Sequence, residues 1–189
     1  APLLAFAGLW GVPFLETAYG MPRTSAAGLT SVFFIGWGVG APLFGWLSDH
    51  IGRRRNPLLI ALALKTAALA ALVYVPALPL AALIALCFLV GLFGSAQILC
   101  FALVRENHTL ARSGTAIGFL NGIVTGAGAL FQPLVGMLLD MAWTGEIASG
   151  ARVYHAEAYR LAFTSLIACC IGGFLCLLAV RETYCRPQV

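Results

Sequence analysis

Five stretches of this chain, 1–15, 24–48, 66–104, 113–139 and 161–180, contain no Asp, Glu, Lys or Arg. A helix crossing a bilayer needs about 20 mostly apolar residues to span a hydrocarbon core roughly 30 Å thick. The 66–104 stretch, with the apolar residues before it, is long enough for two passes, and Pro76 and Pro79 flank the turn between them. Charged residues make up 10% of the 189 and hydrophobic residues 61%, against roughly 25% charged in soluble domains. A soluble globule of this size would have to expose much of its Leu, Ala and Phe. The solvent this chain is built for is lipid.

The pattern predicts an all-α membrane protein, a single six-helix transmembrane domain over 1–189, with helices at about 1–19, 25–48, 57–75, 80–104, 114–142 and 159–180. The spans lack strict alternation, which argues against a transmembrane barrel. Ala1 already lies in apolar sequence with no basic leader, so the start reads as the interior of a first helix rather than as a signal peptide. Orientation follows from the arginines of the short loops. Seven of them (Arg53, Arg54, Arg55, Arg105, Arg112, Arg181 and Arg186) fall on one side, against Arg23, Arg152 and Arg160 on the other. The richer side is expected to be cytoplasmic, with the C-terminus inside and the protein in the cell (inner) membrane. Lys65 falls within the third helix, within reach of snorkelling to the inner surface.

The net charge of +4 then reflects this asymmetry rather than an acidic partner. No basic stripe interleaves with aromatics as a nucleic-acid surface would require. The six cysteines have no His partner at metal-ligand spacing and read as small buried hydrophobes. No Ser-His-Asp set, phosphate-cradling loop or metal cluster appears, so neither an enzyme nor a cofactor is expected. The histidines, His50, His108 and His155, all fall in predicted loops, which leaves little for a proton relay.

The most informative local pattern is Gly45-Trp46-Leu47-Ser48-Asp49-His50-Ile51-Gly52-Arg53-Arg54-Arg55. A positive-inside loop explains its arginines but not its spacing, which describes a tight turn: Gly52 for an unusual backbone angle and Asp49 as an acceptor. It resembles the loop signature of the major facilitator superfamily, Gly-x-Leu-Ala-Asp-Arg-x-Gly-Arg-Arg/Lys. It matches at Gly45, Leu47, Asp49, Gly52, Arg53 and Arg54 and departs at Ser48 and His50. In sugar-porter-like members this loop, a Glu…Arg loop and a Pro-Glu-Thr-Lys tail form one cytoplasmic charge network. Here Arg53, Arg54, Glu106, Arg112 and Glu182 stand at the matching places, with Arg181 for the Pro and Tyr184 for the Lys. The resemblance covers essentially the whole chain. The Glu-Thr tail with a short end is similar to the C-terminal half of a twelve-helix transporter.

A network of this kind would select a state rather than hold a fold. Surface ion pairs contribute only about 0–1 kcal/mol each, but several across a closing face bias a two-state equilibrium. Asp49, Arg53, Arg54, Glu106, Arg112 and Glu182 are therefore expected to form a cytoplasmic gating network; ordinary interfacial anchoring is the alternative. Glycines at four-residue spacing, Gly114, Gly118, Gly122 and Gly126 in the fifth helix and Gly36 and Gly40 in the second, mark faces for close helix approach. The resemblance implies that these faces pack between the two halves of a transporter. Packing within this bundle is equally compatible with the spacing.

Polar groups inside spans are the default candidates for solute contact. The resemblance implies that the first and fourth helices line a central cavity flanked by the second and fifth, so Trp10, Gln97, Asn121 and Gln132 are the expected substrate-binding residues. Each is also explained as an interhelical hydrogen-bonding group. Pro133 is expected to kink the fifth helix. The expectation is a C-terminal half of a secondary active transporter moving a small solute by alternating access. It would pair with the N-terminal six-helix half in the bilayer and use a coupling ion such as H+ or the solute's own gradient. The alternatives are a self-sufficient six-helix protein working as a homodimeric transporter or channel, and an intramembrane enzyme, disfavoured by the lack of paired ionisable residues within the spans.

Overall fold

The computed structural model of the chain describes residues 5–148 and 151–186. Five helices in it are long and apolar enough to cross a membrane: Arg23–Ile51, Arg55–Tyr74, Leu80–Glu106, Ala111–Met141 and Ala156–Leu178. They follow an N-terminal helical run made of a π-helical turn, Phe6–Trp10, and an α-helix, Gly11–Tyr19. These are called the first to sixth helices in chain order. Residues 1–4 of the expected first helix lie outside the described residues.

Helix ends follow the local chemistry. Gly20 and Gly52 close the first and second helices in the left-handed region, at φ 62° and 67°, where a side chain would be strained. The second helix therefore runs to Ile51, past the expected end at 48, and takes His50 into its last turn; His50 stacks on Trp46 instead of lying in a loop. Pro57 falls in the first turn of the third helix, where a missing N–H costs nothing. Pro79 precedes the fourth helix, which is interrupted by a 3-10 turn, Ser95–Gln97. Thr109, in extended conformation, accepts the N–H groups of Arg112 and Ser113 at 2.9 Å. This starts the fifth helix at Leu110 rather than at 114. A two-residue antiparallel ladder, Ile147–Ala148 with Ala151–Arg152, joins the fifth and sixth helices, a small departure from an all-α chain.

The core has two parts. Towards the end away from the arginine run, Phe6, Phe14, Phe33 and Phe163 are fully buried, with the Phe6 and Phe163 rings 4.9 Å apart and the Phe14 and Phe163 rings 5.3 Å apart. Leu69, Leu72, Leu83 and Leu166 surround them. Towards the other end, Phe44, Leu58, Ala61, Ala96, Leu99, Leu103 and Leu177 form a second cluster. Between the second and fourth helices the approach is backbone to backbone. A Cβ on Gly36 would collide with the Phe88 carbonyl oxygen, and one on Gly91 with that of Phe33. Gly36 and Gly40 thus pack inside this bundle, the second of the two packings their spacing allowed.

The fifth helix behaves differently. Only 17% of its apolar window is buried, against 44% for the third and fourth helices. Gly114, Gly118, Gly122 and Gly126 have no heavy atom within 4 Å of where a Cβ would stand. Phe119, Ile123 and Leu130 on this helix are exposed.

Candidate functional site

At the end of the bundle that carries the arginine run, Arg54 turns inward. It is 7% exposed and Glu106 is 5% exposed. Arg54 Nε and Nη2 donate to Glu106 Oε1 at 3.0 and 2.9 Å, while Nη1 donates to Asp49 Oδ1 at 2.6 Å and Ser48 Oγ at 3.0 Å. Thr183 Oγ1 donates to the other Glu106 oxygen. The guanidinium fork is thus used on both edges, the geometry in which Arg differs most from Lys. Asp49 is the solvent-facing member, with a side chain 66% exposed.

The backbone turn explains why Arg54, and not a neighbour, is the inward residue. Gly52 and Arg53 donate their N–H groups back to the Asp49 and Ser48 carbonyls, and Ser48 Oγ donates to the Arg53 carbonyl at 2.8 Å. Arg53 is held by its main chain and leaves its side chain exposed. Glu182 then grips the start of the third helix, accepting the Arg54 N–H at 2.7 Å and the Arg55 N–H at 3.0 Å. These are amides a helix leaves unpaired, at the end where its dipole favours an anion. Arg55 returns the arrangement, donating to the Leu177 and Leu178 carbonyls at the end of the sixth helix, at 3.3 and 2.6 Å.

Electrostatics follow from the geometry. Burial opposes ionisation of Glu182, but the N–H groups of Arg54, Arg55, Tyr184 and Thr183 outweigh it and hold its carboxyl below the ordinary range. Burial likewise opposes the charge on Arg54, and the hydrogen bonds it donates to Glu106 and Asp49 overcome it, raising its pKa.

Four of the six residues expected in the network, Asp49, Arg54, Glu106 and Glu182, are brought together here. Arg53 and Arg112 are not: both are exposed, and neither side chain makes an ion pair among the described residues. Ser48, Thr183 and Arg55 belong to the cluster and were not singled out from sequence. Ser48 was noticed only as a departure from the loop signature, yet its hydroxyl bridges Arg53 and Arg54. The Arg54–Glu106 pair is buried rather than a surface pair, whereas Asp49 keeps its side chain in solvent.

Of the four residues expected to meet solute, Trp10 and Gln132 come together, while Asn121 and Gln97 stand apart from them. Trp10 Nε1 donates to the Gln132 carbonyl at 2.9 Å, and a Cβ on Gly136 would stand 3.2 Å from Trp10 Cζ2. Trp10 therefore seats on the fifth helix beside Pro133 and joins the first helix to it. Asn121 is exposed on the open fifth helix. Gln97 lies in the 3-10 turn and borders a crevice with Leu58 and Leu62 of the third helix and Gly173 and Leu177 of the sixth. Lys65 borders the same crevice and is buried, rather than reaching the inner surface.

At the opposite end, Asp140 accepts from Arg152 Nη1 at 2.7 Å and from the Tyr154 hydroxyl at 2.5 Å, and the Arg152 guanidinium lies 4.7 Å over the Trp143 ring. This clasp ties the end of the fifth helix to the connection leading into the sixth, and nothing in the sequence pattern had marked it.

Long apolar helices closed at one end by a buried Arg–Glu pair define a multi-pass membrane protein with a charge-sealed face. The chain belongs to the major facilitator superfamily, whose profile matches residues 3–187. That is a family of membrane transporters rather than enzymes. No curated protein matches the chain.

Proposed function

We propose that this chain is the C-terminal half of a secondary active transporter that moves a small solute across the membrane by alternating access. The observation that carries the reading is the open fifth helix. Its glycine face has nothing within reach of a Cβ, while Gly36, Gly40 and Gly91 elsewhere in the bundle are pressed against backbone. A helix so bare of contacts needs a second bundle to complete a cavity, since small-residue faces in lipid gain stability through close packing. The N-terminal six-helix half is the partner proposed. Asn121 on this face, with Trp10 and Gln132 beside it, would meet the solute, and Gln97 would stand further off.

In this reading the arginine-rich end faces the cytoplasm and the protein lies in the inner membrane with its C-terminus inside. The cluster of Asp49, Arg54, Glu106 and Glu182 locks the inner ends of the second, third, fourth and sixth helices into one unit. They then move together when the cavity changes sides. Arg53 and Arg112, exposed and unspent within the bundle, are available to acidic groups of the other half. The driving force is an ion gradient, H+ being the simplest, or the solute's own gradient.

The test is solute uptake by the intact protein in proteoliposomes, screened across small metabolites with and without a pH gradient. It is paired with cysteine cross-linking from Gly122→Cys. Cross-links to an N-terminal bundle of the same polypeptide and saturable uptake support the proposal. Cross-links between identical copies would favour a homodimer instead, and absence of uptake for every solute class would remove the transport reading.

A further inference from the structure

The crevice between the third, fourth and sixth helices holds a cation that the charge cluster does not use. Lys65 stands at the middle of Arg55–Tyr74 and is 9% exposed. Among the described residues no carboxylate or hydrogen-bond acceptor engages its ammonium. Its side chain borders a cavity of about 220 Å³ whose other walls include Leu58, Leu62, Phe93, Gln97 and Leu177. The lysine stem passes beside Gly94 of the fourth helix, where a Cβ would stand in ordinary contact, 3.9 Å from Lys65 Cδ and Cε. Gln97 follows on the same helix, in the 3-10 turn.

The ammonium is not sealed from its surroundings, but a charge inside a span ordinarily pairs or marks a binding place. The chemistry that answers it is narrow. One ammonium and one amide bordering the same cavity offer donors for the two oxygens of a single carboxylate, and the leucine and phenylalanine walls suit an apolar body. Depth separates the possible sources of negative charge. Lys65 lies ten residues beyond Arg55, about 15 Å along the helix axis. A phospholipid phosphate anchored at the interface would be held by the arginines there and would not descend to Lys65. The cavity is smaller than the roughly 300–1,000 Å³ of sites for drug-sized ligands, which favours a short molecule.

We propose that Lys65 and Gln97 form a binding site for a small monocarboxylate with an apolar body, separate from the open face of the fifth helix. The proposal does not depend on the transport reading, because binding is measured at equilibrium.

The experiment is isothermal titration of the intact protein in nanodiscs with sodium octanoate, with octanamide as the uncharged control. The variants are Lys65→Met, which keeps the stem and removes the charge, and Gln97→Leu. Native mass spectrometry of the same samples reads any retained phosphatidylglycerol. The expected result is saturable octanoate binding that octanamide does not reproduce, roughly tenfold or more weaker in Lys65→Met and also weakened in Gln97→Leu. Should Lys65→Met fail to fold, the octanamide control and Gln97→Leu still decide. Equal binding of octanoate and octanamide overturns the proposal, as does octanoate binding that neither variant alters. Phosphatidylglycerol retained through Lys65 while octanoate fails to bind overturns it too, since the site would then belong to lipid.

Discussion

Replacing Arg54 by Met removes a cation that donates to Glu106 twice and to Asp49 and Ser48 once each. Asp49 is solvent-facing and loses little. Glu106 is 5% exposed and among the described residues keeps the Thr183 hydroxyl alone. A buried charge stripped of its partner costs about 3–5 kcal/mol, whereas an exposed pair costs about 0–1 kcal/mol. The burial therefore decides between two well-separated values. Replacing both members at once, Arg54→Met with Glu106→Leu, removes the stranded charge together with its partner. It should be neutral or stabilising by about 1–4 kcal/mol relative to wild type. The assay is equilibrium unfolding of the intact protein in mixed micelles, followed by tryptophan fluorescence, for the four corners of this double-mutant cycle. A single-variant loss below about 1 kcal/mol would place the pair in the solvated regime and refute the reasoning. So would a double variant no better than the worse single one. Transport supplies the second readout: if the cluster couples helix ends during the cycle, the double variant regains stability but moves solute more slowly than wild type.

Gly36→Leu and Gly91→Leu should abolish folded protein in size-exclusion profiles, because the added atoms meet the Phe88 and Phe33 carbonyl oxygens. Gly122→Leu should leave the bundle folded and act on assembly and uptake. The Glu182 carboxyl is held below the ordinary carboxylate range, so its contribution is complete above about pH 4.3 and is lost as pH falls through the lowered folded value. The gap in thermal midpoint between wild type and Glu182→Gln should be flat at neutral pH and shrink only below about pH 4; a gap that closes between pH 6 and 8 would contradict this. Trp10→Phe removes one donor to the Gln132 carbonyl and should cost about 1 kcal/mol in the same unfolding assay, whereas Trp10→Ala should cost clearly more.

Much of the architecture was legible because lipid imposes a coarse rule: where charges vanish for long enough, a helix crosses. That rule located the long helices and the two-proline turn at Pro76 and Pro79. It could not tell which of three consecutive arginines turns inward. The direction of Arg54 depends on how the Gly52 turn folds back on Ser48, a matter of backbone angles rather than residue type. The glycine pattern shows the same limit. Gly36 and Gly122 sit in similar spacings, but one meets a backbone and the other meets nothing, because packing partners are set by distant sequence. Trp10 and Gln132 were both singled out, for solute contact, while their mutual hydrogen bond spans 122 positions and has no local signature. Lys65 was read as a snorkelling residue from its distance to the inner end. The fourth helix packs against its stem at Gly94, a contact set by sequence some thirty residues away.

Glu182 closes the amides of a helix start that lies 128 positions earlier in the chain. During synthesis, then, the third helix enters the membrane with that end unfinished, and water or lipid headgroups must hold those amides until Glu182 has emerged. The stretch after the sixth helix acts as a late fastener, so a stop codon placed before Glu182 should leave an inserted but loosely sealed bundle, exposed to quality-control proteases at its arginine-bearing end.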